Sequence, residues 1–196
     1  MMTMKPQKSV SGRADPGRSP VRIWARGYIY KIYLTIYFIM EDVQEKAHYI
    51  AVTGIICNKD GKYLICKRSS NEKVFPNKWC VPGGKIQKSD FINTPKDTND
   101  HWFDIFEKTL QKEILEETGL KIKNIGYVSN LALIRPNGFS TLIVSLHAEH
   151  DGGKVKLNDE ELVDHVWVNL EEAKNYDLIE NIFEQIEKVD KIRKNK

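Results

Sequence analysis

Cysteine is scarce and unpaired. The chain holds three, Cys57, Cys66 and Cys80, an odd number with no C-x-x-C spacing, so neither a disulfide framework nor a four-ligand zinc site is expected. Each lies in an apolar, strand-like run, as buried reduced thiols do, which favours a cytoplasmic protein. Long hydrophobic runs are missing too. The cleanest, 32–40, has nine residues, and Arg26 and Lys31 interrupt the wider aromatic stretch that contains it. A membrane-spanning helix needs about 20 apolar residues, so no stable membrane association is expected. A signal peptide is a poor fit as well, because the stretch lies far from Met1 and lacks a small-residue cleavage site. Nor is there a broad basic surface. The formal net charge is +3, but residues 1–40 carry seven Lys/Arg and one acid, leaving 23 basic and 26 acidic residues for 41–196. Nucleic acid is therefore not an expected partner. The five histidines show no metal-ligand spacing such as H-E-x-x-H, and no internal repeat is visible.

What is present divides at about residue 40. Residues 1–22 are rich in Pro, Gly, Ser and Arg without periodicity and read as unstructured. Residues 1–40 are expected to be a poorly structured or non-native extension, with translation starting at Met40, an added edge strand and a membrane-touching segment as the open readings. A single domain is expected over 41–196. Its pattern opens with a hairpin, 48–57 and 62–68, around Asn58, Lys59, Asp60 and Gly61. A short strand at 79–81 runs into Pro82, Gly83 and Gly84, which force a sharp turn. Residues 85–101 read as a surface loop, with Asn99 or Asp100 capping a helix over 102–118 that Gly119 ends. Phe103, Phe106, Leu110 and Ile114 form that helix's expected core stripe. Strands follow at 121–134 and 139–150 and at 164–169, then helices at 170–175 and 178–193. Mixed strands with one central and one terminal helix predict a layered α/β (α+β) fold.

The central helix carries Glu113, Glu116 and Glu117 at i, i+3 and i+4. At about 100° per residue, three carboxylates share one narrow arc. Crowded like charges destabilise a helix unless something positive sits among them, and a hard divalent cation suits such oxygen ligands. A solvated acidic face is the plainer reading of the same spacing.

Gly83 and Gly84 together with the run from Lys112 to Leu120 resemble the two halves of the Nudix box, G-x5-E-x7-R-E-U-x-E-E-x-G-U, of the MutT/Nudix hydrolases (U is a bulky aliphatic). Glu113, Ile114, Glu116, Glu117, Gly119 and Leu120 match the second half. The resemblance extends from about residue 47 to the last helix and implies an α/β/α sandwich around a mixed sheet. It also implies a divalent-metal-dependent hydrolase that cleaves the pyrophosphate bond of a nucleoside diphosphate linked to another moiety. Mg²⁺ is the implied cofactor, with Mn²⁺ as a substitute, and a small nucleotide-type molecule the implied substrate. Homodimers are common among such proteins, so a homodimer is open here.

The resemblance implies Glu113, Glu116, Glu117 and the Gly84 carbonyl as metal ligands, and Glu161 or its neighbour Glu160 as general base. Lys112 stands where the family has arginine and would hold the glutamates by charge; Gly83 would let the backbone approach the phosphates. Asp104, eight residues before Lys112, would replace the early glutamate. On that alignment Gly84 and Asp104 are 20 residues apart instead of six, so about 14 are inserted between turn and helix. The insertion is expected to loop out near the site mouth and to affect substrate choice. Arg68, Phe75 and Phe139 are candidate substrate contacts. Two other functions remain: a non-catalytic Nudix-fold nucleotide sensor, and another reaction on a diphosphate ester such as isomerisation.

Overall fold

The computed structural model describes residues 29–32, 35, 45–157 and 160–195. The chain divides into two compact units, Met1–Ala47 and His48–Lys196. In the first, residues 29–32, 35, 45 and 46 are helical; most of what is expected of residues 1–40 lies outside the described residues. Among the described residues no helix is long and apolar enough to cross a membrane.

In the second unit, the described strands form one seven-stranded mixed sheet. They are β1 (His48–Cys57), β2 (Tyr63–Arg68), β3 (Trp79–Cys80), β4 (Gly83–Lys85), β5 (Lys121–Ile134), β6 (Ser140–Gly152) and β7 (Leu162–Val168). The order is β3-β2-β1-β6-β5, with β4 pairing β1 and β7 pairing β2. β1 and β6 run parallel, in register from His48 beside Ser140 to Cys57 beside Glu149. The helices are α1 (Ser89–Ile92), α2 (Ile105–Thr118), α3 (Leu170–Ala173) and α4 (Ile182–Lys194).

β1 fixes both layers. Its side chains alternate between the faces of the sheet. A Cβ at Gly54 would stand 3.0 Å from Leu110 Cδ1 and 3.5 Å from Ile114 Cδ1, so the face that Gly54 shares with Val52 and Ile56 seats α2. Leu110 and Ile114 are fully buried there, each contributing about 1.5–3 kcal/mol. The other face carries Ala51, Thr53 and Ile55. α4 meets β1 and β5 and buries Ile182, Gln185, Ile186 and Val189. The result is the expected α/β/α sandwich with a mixed sheet.

Several local expectations need correction. α2 starts at Ile105, not at 102, because Asp104 takes a left-handed conformation (φ 55) that breaks the helix there. Neither Asn99 nor Asp100 is its cap. Phe103 therefore lies outside the helix and is 52% exposed, and Phe106 is 39% exposed, so the core stripe is Leu110 and Ile114 only. The terminal helix begins at Ile182, after a left-handed Asn181, rather than at 178. The segment after the glycine turn is more than a loop, since it contains α1. Cys57, Cys66 and Cys80 are buried free thiols. Burial pushes their pKa values up, that of Cys57 to about 11, which keeps them protonated and inert.

Candidate functional site

The glycine turn and the acidic helix meet across β1. Gly83 pairs with Thr53 and Gly84 with Val52. Gly83 N donates to Glu117 Oε2 at 3.0 Å, so the turn and the C-terminal half of α2 are locked together by one carboxylate. Glu117 is only 7% exposed. Burial pushes its carboxyl up to about 8; the Gly83 N–H pulls the other way, while Glu161 and Glu113 add to the rise, Glu161 also through a side-chain hydrogen bond. Two residues distant in the chain and one from an adjacent helical turn thus crowd one buried oxygen pair.

Both glycines are required by close approach. A Cβ on Gly84 would stand 2.0 Å from Glu113 Oε2, so the Glu113 carboxylate occupies the space that a side chain would fill. Glu113 is half-buried, and desolvation raises its pKa against the pull of Lys112. Gly83 has φ +154, and a Cβ there would meet the Val52 carbonyl oxygen at 2.2 Å. Glu116 differs: its side chain is 58% exposed and its carboxylate turns to Lys112 Nζ at 3.4 Å. Among the described residues no three His, Cys, Asp or Glu side chains stand as a closed metal cage. What the turn and helix offer is a set of hard oxygen donors beside a glycine backbone that carries no side chain of its own.

Lys112 is bracketed by acids. Its Nζ lies 3.2 Å from Glu113 Oε1 and 3.1 Å from Asp90 Oδ1. Partial burial works against its charge, but hydrogen bonds to Asp90 and Glu113 hold the ammonium pKa above its usual range. Asp90 corrects the expectation for Asp104. Asp104 sits at the helix N-terminus and makes no side-chain cap bond, whereas Asp90, with a side chain only 7% exposed, is the acid that reaches Lys112. Counting forward from Gly84 would have found it, since Asp90 stands six residues on, at the spacing of the family pattern. The extra residues therefore enter after Asp90, which is 22 residues from Lys112 rather than eight.

The inserted segment closes on itself. The Trp102 indole donates to Thr94 O at 3.1 Å and its ring lies 5.5 Å from that of Phe91. Asp97 Oδ2 accepts from Phe103 N at 2.9 Å and from Lys108 Nζ at 3.1 Å. The site mouth is not where it lies. Beyond Gln87, no residue of the segment lines the cavity beside the glycine turn.

That cavity has a volume of about 560 Å³, a size that suits a nucleotide-like ligand. Gly83, Gly84, Glu113 and Glu161 are among its lining residues, with Glu161 fixed by its carbonyl, which accepts from Ser69 N at 2.8 Å. Arg68 and Phe75 also line it. Arg68 is already engaged, by an ion pair with Glu72 and a hydrogen bond to Val74 O at 3.1 Å. Phe75 is 43% exposed with φ 53. Phe139 is absent from the lining: the turn at 135–139 folds its ring onto Tyr49, centroids 5.6 Å apart. Arg135, from the same turn, lines the cavity instead. Its Nε donates to Thr141 Oγ1 at 2.7 Å and its guanidinium lies over the Tyr49 ring at 4.8 Å.

Comparison with known proteins agrees with this architecture. The model of the NUDIX domain matches residues 47–189. A nucleoside triphosphatase, NudI, from Klebsiella pneumoniae is 31% identical over 137 residues, covering 63% of this chain and 86% of that protein. An NAD-capped RNA hydrolase, NudC, from Actinobacillus succinogenes is 37% identical over 67 residues, 34% of this chain; the match spans only 24% of the relative's length. Among solved structures, a MutT protein from Methanosarcina mazei aligns with a TM-score of 0.57 at 25% identity, over 78% of this chain and 98% of that one. With the glycine turn, the acidic helix and the sandwich all in place, the chain belongs to the Nudix hydrolase family.

Proposed function

We propose that the chain hydrolyses the pyrophosphate bond of a nucleoside diphosphate linked to another moiety, and that it needs Mg²⁺, or Mn²⁺ in its stead, to do so. One observation carries this reading. Glu117 is buried against Gly83 N with Glu161 and Glu113 crowding it, a concentration of carboxylates at a backbone turn that is relieved by a proton or, once ionised, by a bound cation. Glu113, Glu116, Glu117 and the Gly84 carbonyl are the groups that would hold it, all hard oxygens that suit Mg²⁺. When bound, such an ion neutralises phosphate charge and makes its water more acidic.

The chain's own residues do the rest. Glu161, on the exposed turn before β7, accepts the proton that the attacking water gives up as its oxygen bonds to phosphorus and the anhydride P–O bond breaks. Gly83 and Gly84 let the phosphate chain lie against backbone. Lys112, held by Asp90, keeps the Glu113 and Glu116 carboxylates apart and oriented. A nucleoside triphosphatase and an NAD-capped RNA hydrolase among the relatives support a nucleotide phosphoanhydride as the bond cut. The domain over 41–196 suffices for this chemistry, in the cytoplasm.

The test is a Mg²⁺-dependent hydrolysis screen over ADP-ribose, nucleotide sugars, nucleoside triphosphates and dinucleoside polyphosphates. Glu117→Gln should lower turnover about 10²–10³-fold, the usual cost of one electrostatic group at a reacting centre. If no substrate is cut, or if the variant keeps full activity, the reading is wrong.

A further inference from the structure

The loop between β2 and β3 has a fixed root and a lightly held crest. At the root, Arg68 N donates to Lys78 O at 2.9 Å, and Ser69 N donates to the Glu161 carbonyl at 2.8 Å. Ser69 is only 4% exposed. Further out, Asn71 N donates to Ser69 Oγ at 3.2 Å and Glu72 N to Ser69 O at 3.3 Å. Beyond them Phe75 (φ 53) and Asn77 (φ 61) take left-handed conformations. Such conformations are costly for residues other than glycine and gather where a segment clamps or switches.

Arg68 spans this loop from inside. Its Nε donates to Val74 O at 3.1 Å and its Nη2 to the Glu72 carboxylate. Arg68, Glu72 and Val74 all line the cavity, so the ion pair is part of the cavity wall. The two partners are held unequally. Arg68 ends a strand and is also pinned by Val74 O, whereas among the described residues the Glu72 carboxylate meets no side chain but Arg68. The side chains are 24% and 26% exposed, so water stands ready to replace the guanidinium on Glu72, and such pairs are weak. Charge favours that exchange. Four glutamates line the cavity against Arg68, Lys85 and Arg135, and one of these three cations is already taken by a glutamate. A phosphate competes well for it, because it brings more charge and more oxygens to the same guanidinium fork.

We propose that Glu72 stands where a substrate phosphate binds Arg68, and that it selects ligands by charge: a phosphate displaces it and a neutral group does not. The proposal rests on the hydrolase reading, which supplies the phosphate, and adds a threshold that the ligand must pass. Glu72 is then a specificity-determining residue that touches Arg68 only until the ligand arrives. A glutamate that merely supported Arg68 would have the opposite effect, since its loss would loosen the guanidinium and weaken anion binding. The sign of one substitution separates the two roles.

The test reads binding without metal, by calorimetric titration of the full chain in EDTA with inorganic pyrophosphate, AMP and adenosine. Glu72→Gln keeps the size and an oxygen for Arg68 but not the charge. It should bind pyrophosphate and AMP about fivefold more tightly than the unaltered protein, and adenosine within twofold. Glu72→Ala, which cannot hold Arg68 at all, should show the same gain. Arg68→Met should weaken both anions, and in its background Glu72→Gln should change them less than twofold, because residues in contact act as one unit. Glu180→Gln removes another charge from the cavity wall and should alter pyrophosphate affinity less than twofold. With Mg²⁺ restored, Glu72→Gln should lower the KM of a nucleotide substrate about fivefold and leave kcat within twofold. The proposal is overturned if both Glu72 variants bind pyrophosphate and AMP as the unaltered protein does, or more weakly. It is also overturned if the gain survives Arg68→Met, or if Glu180→Gln gives an equal gain. Tighter pyrophosphate binding in Glu72→Gln without hydrolysis of any nucleotide would overturn the hydrolase reading and leave Glu72 in place; hydrolysis with pyrophosphate affinity unchanged would do the reverse.

Discussion

The two ends of the cavity are built by different means. The carboxylate end comes from one helix and one turn, tied by the bond from Gly83 N to Glu117, with Glu161 the one distant contributor. The apolar lining comes from β1, β6 and β5, through Ala51, Ile143 and Leu131. One end concentrates charge and depends on positions within an ångström; the other is mostly apolar and depends on register. Damage to the first should therefore appear in turnover, and damage to the second in affinity.

The sharpest division of the two falls between neighbouring glycines. At Gly84 an added Cβ meets the tip of the Glu113 side chain, which can swing away. Gly84→Ala should therefore keep its melting temperature and its metal-free affinity for AMP while turnover falls about 10²-fold. At Gly83 the obstruction is the Val52 carbonyl, and φ is +154. Gly83→Ala should destabilise the whole domain, by about 1–3 kcal/mol from the backbone conformation alone, and both ends should weaken together. Thermal melts beside kcat and AMP titration separate the cases. Equal effects of the two substitutions would mean that Glu113 and the turn do not act as separate parts.

A smaller effect is expected at Asp90. Its removal leaves Lys112 to Glu113 and Glu116 alone, so the ammonium competes for the very carboxylates that a cation would use. Asp90→Ala should lower turnover about tenfold with little change in AMP affinity, and Lys112→Met should add little to it, because the two residues act as one unit. Asp97→Ala is the control. It breaks the pair with Lys108, whose partners are 38% and 53% exposed, and an exposed pair is worth at most about 1 kcal/mol. Turnover within twofold is expected. A tenfold loss there would show that the inserted segment as a whole, and not Asp90, positions the helix.

The same contrast explains what could be read from the sequence. Glu113, Glu116 and Glu117 were legible because helical periodicity alone puts them together, and the glycines because a turn residue announces a turn. Asp90 was missed by counting back from Lys112, where an insertion of unknown position spoils the spacing; Asp104 fell at the right number and the wrong place. Phe103 looks like core only if the helix is extended through Asp104, which folds left-handed, whereas Phe106 lies within the helix but in its exposed first turn. Phe139 depended on how a five-residue turn curls. Ala51, Ile143 and Leu131 meet only through the β1–β6 and β5–β6 registers, which no local pattern fixes.

The least effect, a matter of degrees in melting temperature, isolates the charge at the first end. The Glu117 carboxyl titrates at about 8 in the folded chain against an ordinary value of 4.5. Between those values the folded chain holds a proton that the unfolded chain has released, so the unfolded state binds fewer protons and stability falls as pH rises. The contribution is intact below about 4.5 and is lost on passing through about 8. Metal-free protein should then melt lower at pH 8 than at pH 5, and the difference should shrink in Glu117→Gln, which keeps an oxygen for Gly83 N but carries no charge. Every other group is common to both proteins, so the difference between the two slopes belongs to Glu117. Added Mg²⁺ should raise the melting temperature at pH 8 more than at pH 5, because it binds the ionised form of the folded state. A pH slope that survives Glu117→Gln would place the excess charge elsewhere and remove the physical reason for a cation at this turn.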